Sequence, residues 1–292
     1  MKNLYITGGL GQDGRILSKI ISKKKFKIFV LSKKLSLKSI SGIKLIKSNL
    51  KNKKKILEIF KKNKPDVILH LAANNPAYNE KGFKKFYSDN LNYSLNIFNA
   101  SYLINKNIKF LFTSSAQIFK KKIGFVNEYS EIDKTTPYTR FRIDFDNILK
   151  NKNINYTNII LFNHDSIFRN KKFLFPRLFK SLKKKKLSFL KEIIKNNIHG
   201  DFSHAEDICK GIYKIILSPK KIKRIILSSG KSTSVNDVIK YVMKNNKIKL
   251  KLKIHSKNSI CLIGNNSYAK RIINYKPKKN IFIAANEIFN SL

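Results

Sequence analysis

The sequence predicts an α/β protein with a doubly wound parallel sheet and a smaller C-terminal α/β lobe. Three observations carry this. Short runs that are apolar throughout alternate with amphipathic segments across the first half, and strands of that kind belong to a sheet covered on both faces. A glycine-rich turn, "TGGLGQDG" at 7–14, follows the first apolar run and precedes a helix-like one. The 292 residues suffice for a large core in one or two domains.

The elements follow in order. "KNLYIT" (2–7) is a strand and "RILSKIISKK" (15–24) has helical periodicity. "FKIFVL" (26–31) and "IKLIKS" (43–48) are further strands. "KKKILEIFKKN" (53–63) places Ile56, Leu57, Ile59 and Phe60 at helical spacing. "PDVILHLAA" (65–73) is a strand opened by Pro65, and a long helix covers about 83–106. "IKFLFTSS" (108–115) is a strand, a helix runs from Pro137 to about Asn151, and "YTNIILFN" (156–163) is a strand. Beyond 163, helical pieces near 173–184, 205–217, 234–245 and 280–291 mix with short strands. The expected division is a dinucleotide-binding domain over 1–163 and a mainly substrate-binding lobe over 164–292, some of whose segments return to the first domain.

No apolar stretch approaches the ~20 residues of a membrane span, so no membrane partner is expected. The chain start passes straight into a strand pattern, so no signal peptide is expected. Cys209 and Cys261 are the only cysteines and lack ligand spacing, which points to a reducing, cytoplasmic setting and no metal. Sixty-two basic residues against 17 acidic ones give a net charge of +45. A lysine-rich surface can neutralise nucleic-acid phosphates. Here only seven of the 62 are Arg, and the Lys are spread along the whole chain. The runs at 23–25, 53–55 and 183–186 fall at helix ends or on polar faces, with no basic arm or aromatic–basic motif. The charge therefore reads as composition, although a positive field still attracts anionic substrates.

Gly8, Gly11 and Gly14 read as a phosphate cradle of the Rossmann type. Glycine lets backbone approach a pyrophosphate closely, and the helix N-terminus beyond presents free N–H groups to it. A carboxylate ending the second strand would mark NAD; this chain has Ser32, Lys33 and Lys34, so NADP is expected over NAD.

Five segments then carry a resemblance. "TGGLGQDG" with its Gln12–Asp13 pair, "KPDVILHLAA" (64–73), "LFNHDS" (161–166), "GDFSHAEDI" (200–208) and "SSGKSTSV" (228–235) resemble the extended short-chain dehydrogenase/reductases, the NAD-dependent epimerase/dehydratase family. Among these they most resemble the GDP-mannose 4,6-dehydratases. The resemblance implies an NADP-dependent nucleotide-sugar enzyme, with GDP-mannose or a related molecule as substrate. It implies oxidation at C4, loss of water across C5–C6 and return of the hydride at C6. A homodimer or homotetramer is also implied, paired through the tyrosine-bearing helix and the long helix before it.

The same resemblance implies a site. Tyr138 takes the sugar proton, and Arg142 stands four residues on, where the family has Lys. Ser115 falls at the catalytic Thr position and Gln117 at that of the Glu that removes the C5 proton. An amide is no general base near neutral pH. That substitution keeps alternatives open: an epimerase or 4-ketosugar reductase lacking the elimination, or a catalytically impaired binding protein on the same fold. Cofactor contacts are implied for Gly8, Gly11, Gln12, Asp13, Gly14, Lys33, Lys34, Asn49, Leu50, Leu71, Ala72, Ala73, Tyr138 and Arg142, and substrate contacts for Asn163 and Arg169. Gly200 stands where the family has Arg, and Asn49 where it has Asp. His70 reads as a satisfied core histidine, His164 and His204 as loop supports. Asn90 matches an Asn common in the superfamily's long helix. Asp144 and Asp146 read as solvated helix residues without a role.

Overall fold

The structure is a computed structural model and describes residues 1–33, 42–74, 83–152, 154–254 and 259–292. The chain begins with β1 (Lys2–Thr7), α1 (Gln12–Ile20), β2 (Phe26–Ser32), β3 (Ile43–Lys47), α2 (Lys53–Lys62) and β4 (Val67–His70). It continues through α3 (Phe83–Ile104), β5 (Lys109–Ser115), a 3-10 turn at Ala116–Ile118, β6 (Gly124–Val126), α4 (Pro137–Lys150), β7 (Tyr156–Leu161) and β8 (Asn163–Asp165). Then come α5 (Leu174–Lys183), α6 (Leu187–Asn196), β9 (His199–Gly200), β10 (Phe202–His204), α7 (Ala205–Leu217) and β11 (Arg224–Leu227). The last elements are β12 (Thr233–Ser234), α8 (Val235–Asn245), β13 (Leu262–Gly264), α9 (Ser267–Ile273) and α10 (Ile281–Ser291).

Two compact units are interleaved along the chain: residues 1–118, 132–160 and 212–225 form one, and 119–131, 161–211 and 226–292 the other. Relative to a boundary at 163, residues 119–131 and 161–163 group with the second unit, and the segment 212–225 groups with the first.

A seven-stranded sheet in the order β11-β7-β5-β4-β1-β2-β3 organises the first unit. β1 pairs in parallel with both β2 and β4, β2 with β3, and β4 with β5. Chain order therefore reverses at β1, which creates a crevice at the carboxyl ends of β1 and β4. On one face, Phe60 of α2, Phe98 of α3 and Phe145 of α4 close over Tyr5, Phe29 and Phe110. Tyr5 stacks on Phe29 (centroids 4.6 Å) and meets Phe60 edge-on (4.9 Å). Its buried hydroxyl donates to the Asn63 carbonyl (2.8 Å), so the ring adds to the core without an orphaned polar atom.

The helices end as their sequences direct. Asn52 caps α2 by accepting from Lys55 N–H (2.9 Å). Thr136 and Thr139 form a reciprocal capping box with Pro137 inside the first turn of α4, the arrangement that satisfies N-terminal donors and presets φ. The lysine run at 183–186 ends α5, with Lys185 in the left-handed region (φ 51), before α6, which the sequence reading missed. Asp146 is not solvated: it is buried and pairs with Arg224 at 2.7 Å. Asp144 accepts from Tyr87 (2.9 Å) and pairs with Lys134 (2.6 Å).

In the second unit α5, α6, α8 and α10 share a core that includes Phe175, Phe179, Leu190, Ile239 and Ile288. Asp201, 2% exposed, ties three of its segments together. Its carboxylate accepts from Ser229 N–H (2.8 Å) and Oγ (2.6 Å), Gly230 N–H (3.1 Å) and Gly264 N–H (3.1 Å). Burial raises this carboxyl above its ordinary range, and the donors oppose that rise.

Lys109, at the start of β5, donates to the carbonyls of Ile215 (2.6 Å), Ile216 (3.1 Å) and Ser218 (2.6 Å). It thereby satisfies the open carbonyls at the end of α7. Replacing Lys109 with Met keeps the stem and removes the donors, and is expected to lower stability by about 1–3 kcal/mol in urea denaturation.

Candidate active site

The turn between β1 and α1 is shaped by backbone contact. At Gly8 (φ +69) a Cβ would lie 2.9 Å from the Ala72 nitrogen, so β1's exit and the segment after β4 touch main chain to main chain. At Gly14 a Cβ would lie 2.2 Å from the Gly9 Cα, so the first turn of α1 folds directly onto the loop before it. Gly11 N–H donates to the Gly8 carbonyl (2.9 Å), and Arg15 Nε braces the Leu10 carbonyl (3.0 Å). Gly11 is the N-cap of α1 and supplies no side-chain cap, so the helix's opening N–H groups face outward as an anion cradle. Gln12 donates to Asp13 (3.2 Å) within it. This cradle, whose opening amides carry no side-chain cap, fits a dinucleotide pyrophosphate.

A chain of buried polar groups holds the neighbouring segment, Leu71–Asn74. Ala72 N–H donates to Thr7 Oγ1 (3.2 Å), and Thr7 Oγ1 lies 2.7 Å from His70 Nδ1. His70 Nε2 lies 2.9 Å from Ser94 Oγ, which donates to the Asn90 carbonyl (2.8 Å). One assignment satisfies every link: the Thr7 hydroxyl donates to Nδ1, and Nε2–H donates to Ser94. The imidazole is then neutral. Burial, followed by the Arg142 charge, pulls its pKa down from 6.5 to about 3. Asn90 completes the clamp on Asn74, accepting from its N–H (2.7 Å) and donating to its carbonyl (3.0 Å). Of this chain, His70 and Asn90 are legible in the sequence and Thr7 opens the glycine-rich turn, whereas Ser94 and Asn74 carry no motif signal.

Tyr138 and Arg142 lie one turn apart on α4, as four-residue spacing requires. Arg142, 5% exposed, donates from Nη2 to the Tyr138 hydroxyl oxygen (3.0 Å) and from Nη1 to the Thr113 carbonyl of β5. Its guanidinium covers the Tyr138 ring at 4.6 Å and the Phe141 ring at 4.9 Å. Ser115 ends β5, two residues beyond the carbonyl that Arg142 holds, and its Oγ accepts from Gln117 N–H (3.3 Å). Gln117 is exposed on the 3-10 turn, against which α4 packs.

The adenosine side differs from the expectation. Lys33 Nζ points to the Tyr93 hydroxyl (3.3 Å) and lies 5.0 Å from that ring's centroid, while Lys34 lies outside the described residues. Asn49 turns onto its own loop, accepting from Lys51 N–H (3.2 Å), and Leu50 is buried. In the second unit Asn163 begins β8, and its backbone pairs opposite Phe202. Arg169 pairs with Asp165 (3.1 Å) and stacks on Phe173 (3.9 Å). At Gly200 a Cβ would lie 2.6 Å from the Phe202 ring. His164 and His204 brace loops, the first against the Phe162 carbonyl (2.7 Å) and the second against Glu287 (3.0 Å). Among the described residues no His, Cys, Asp or Glu cluster could hold a metal ion.

A phosphate cradle at the reversal point of a parallel sheet, with a tyrosine and its cation one turn apart on a flanking helix, is the layout of a short-chain dehydrogenase/reductase of the extended type. The chain belongs to the NAD dependent epimerase/dehydratase family, whose pattern it matches over residues 4–227. The UDP-glucose 4-epimerase of Mycoplasma genitalium is 24% identical over 312 residues, covering 94% of this chain and 92% of that protein. UDP-glucuronic acid 4-epimerase from Bacillus cereus, solved in complex with NAD, superposes with a TM-score of 0.83 at 18% identity, over 99% of this chain and 98% of that one. UDP-glucose 4-epimerase from Thermotoga maritima, solved with UDP-glucose, gives a TM-score of 0.81 at 14% identity, over 99% and 98%. These relatives are 4-epimerases of UDP-sugars, not GDP-mannose dehydratases.

The neutral His70 sets a pH dependence. The unfolded chain takes up this proton below about 6.5, whereas the folded site resists it down to about 3. The stability is therefore complete above the upper value and is lost as pH falls through the window. Between pH of about 7 and about 5, His70 contributes a loss of about 2 kcal/mol. The His70→Gln variant is expected to show a correspondingly shallower loss in urea titrations at the two pH values.

Proposed function

We propose that the protein is a nucleotide-sugar 4-epimerase acting on a UDP-hexose with a nicotinamide dinucleotide. The observation that carries this is the Arg142–Tyr138 hydrogen bond (3.0 Å) on the helix beside the glycine cradle. A nicotinamide dinucleotide held at the Gly8–Gly14 cradle would supply reversible hydride acceptance at the sugar C4. The residues handle the proton. Tyr138 Oη, acting as the phenolate, removes it from the C4 hydroxyl and becomes the neutral phenol, and Arg142 donates to that oxygen while it carries the charge. Arg142 cannot lend a proton of its own, so Tyr138 keeps the proton until the hydride returns and then restores it. Ser115 Oγ holds the sugar oxygen. Gln117 can hydrogen-bond a sugar hydroxyl but cannot strip a proton from C5, which favours epimerisation over dehydration. Asn163 and Arg169 remain candidates for substrate contact.

NAD is the cofactor form this reading favours. Structural neighbours from Bacillus cereus and Bordetella bronchiseptica were solved with NAD, and Lys33, the argument for a 2′-phosphate, directs its ammonium to Tyr93.

Incubation with UDP-glucose and NAD is expected to yield UDP-galactose, read by chromatography, and GDP-mannose is expected to give no 4-keto-6-deoxy product. Absence of any epimer from a panel of UDP-sugars would reject the reading. Tyr138→Phe is expected to lower kcat by roughly 10²–10⁴-fold. Arg142→Met is expected to fall comparably, while Arg142→Lys, which retains the charge, stays within roughly tenfold of the parent.

A further inference from the structure

Four of the large apolar side chains that stand out from the described surface gather in one part of the second unit. Residues 120–131 form a loop closed at its base, where Lys120 N–H donates to the Glu131 carbonyl (3.0 Å) and the two side chains pair at 2.8 Å. Within it the residues alternate. Val126 and Glu128 point inward and are buried, Glu128 accepting from Ile226 N–H (3.0 Å). Ile123, Phe125 and Tyr129 point outward, 57%, 63% and 91% exposed. Gly124 N–H donates to the Cys261 carbonyl (2.9 Å) and β6 runs parallel to β13, so Ile260, 70% exposed, lies beside this segment. The alternation pins the outward face in place from beneath, so its apolar side chains are held in water rather than folded away. Exposed apolar side chains gathered on one loop, with exposed Asn127 among them, mark an interaction surface.

Its surroundings say what kind. Lys120, Lys121 and Lys122 immediately precede Ile123, all exposed, Lys120 paired with Glu131 and the other two donating to the Phe125 and Phe119 carbonyls, on a chain of net charge +45. A field of that sign attracts an anionic surface. Lysines beside isoleucine, phenylalanine and tyrosine match the layers of a bilayer surface: anionic headgroups for the ammonium groups, the acyl boundary for Ile and Phe, and the interface for Tyr. We propose that this loop, with Ile260, docks the protein peripherally on an anionic lipid bilayer. Among the described residues no helix is long and apolar enough to cross a membrane. The expectation of no membrane partner rested on that same absence of a span, and adsorption needs none.

The test is co-sedimentation of the full chain with vesicles of phosphatidylcholine containing phosphatidylglycerol, and with vesicles of phosphatidylcholine alone. The parent is expected to sediment with the first and not the second. The Ile123→Ser/Phe125→Ser/Tyr129→Ser variant, unchanged in charge, is expected to bind the anionic vesicles at least roughly tenfold more weakly. Phe125→Ser alone serves where circular dichroism shows the triple variant unfolded, and is expected to weaken binding in the same direction. Equal binding by parent and variant would assign adsorption to overall charge and overturn the proposal. So would failure of the parent to sediment, or a dimer in sedimentation velocity that the variant dissolves.

Discussion

Main-chain contact between the exit of β1 and the segment after β4 is the constraint on which this site rests. Side chains are excluded at Gly8 and Gly14, so the two loops and the first turn of α1 close on one another with no spacer. That closeness leaves the opening amides of α1 unshielded at the place where the sheet order reverses. Cradle and crevice are thus one feature: the glycines allow the approach, and the reversal at β1 provides space above it. Arg142 is placed by the same sheet. It reaches across to the Thr113 carbonyl, so the guanidinium that meets Tyr138 is fixed to a β-strand as well as to its own helix.

Beneath the cradle, the contact is held by a polar relay rather than by packing alone. Thr7, His70, Ser94 and Asn90 are all buried, and each passes one hydrogen bond to the next. A buried network of this sort adds rigidity only when every member is satisfied. The neutral imidazole is what allows it here, because it accepts on one nitrogen and donates on the other. A protonated ring would set a second donor against Thr7 and place a charge near Arg142. The relay thus defines the position of Leu71–Asn74 through Ala72 and Asn74, two backbone anchors on either side of Ala73.

The sheet and the cradle were legible in the sequence because both are local signals. Apolar runs between amphipathic ones identify strands and helices, and glycines at fixed intervals identify a turn. Tyr138 and Arg142 were legible because four residues on a helix is a spatial statement. The relay was only partly legible, since Thr7 and Ser94 are ordinary residues whose roles come from strand and helix neighbours far apart in the chain. Asp146 misled for the same reason: its partner, Arg224, is a distant residue. α6 was hidden behind the lysine run that ends α5, where left-handed Lys185 lets a second helix start almost at once. The resemblance to GDP-mannose dehydratases rested on short segments, among them "TGGLGQDG", "LFNHDS" and "GDFSHAEDI". There Asp201, Asp207 and His204 brace backbone and side chains, Asp207 accepting from Lys278 (2.7 Å) and Lys279 (2.5 Å) N–H. Those segments report shared architecture more than shared substrate.

The interleaving of the two units also bears on how the chain is made. The edge strand of the large sheet, β11, is supplied by Arg224–Leu227. A ribosome must therefore deliver the greater part of the polypeptide before that sheet acquires its final strand. Until then the flank of β7 stands as an unpaired edge, open to mispairing with other nascent chains. For this molecule, closing that edge is a late event in synthesis, one that waits until residue 227 has emerged.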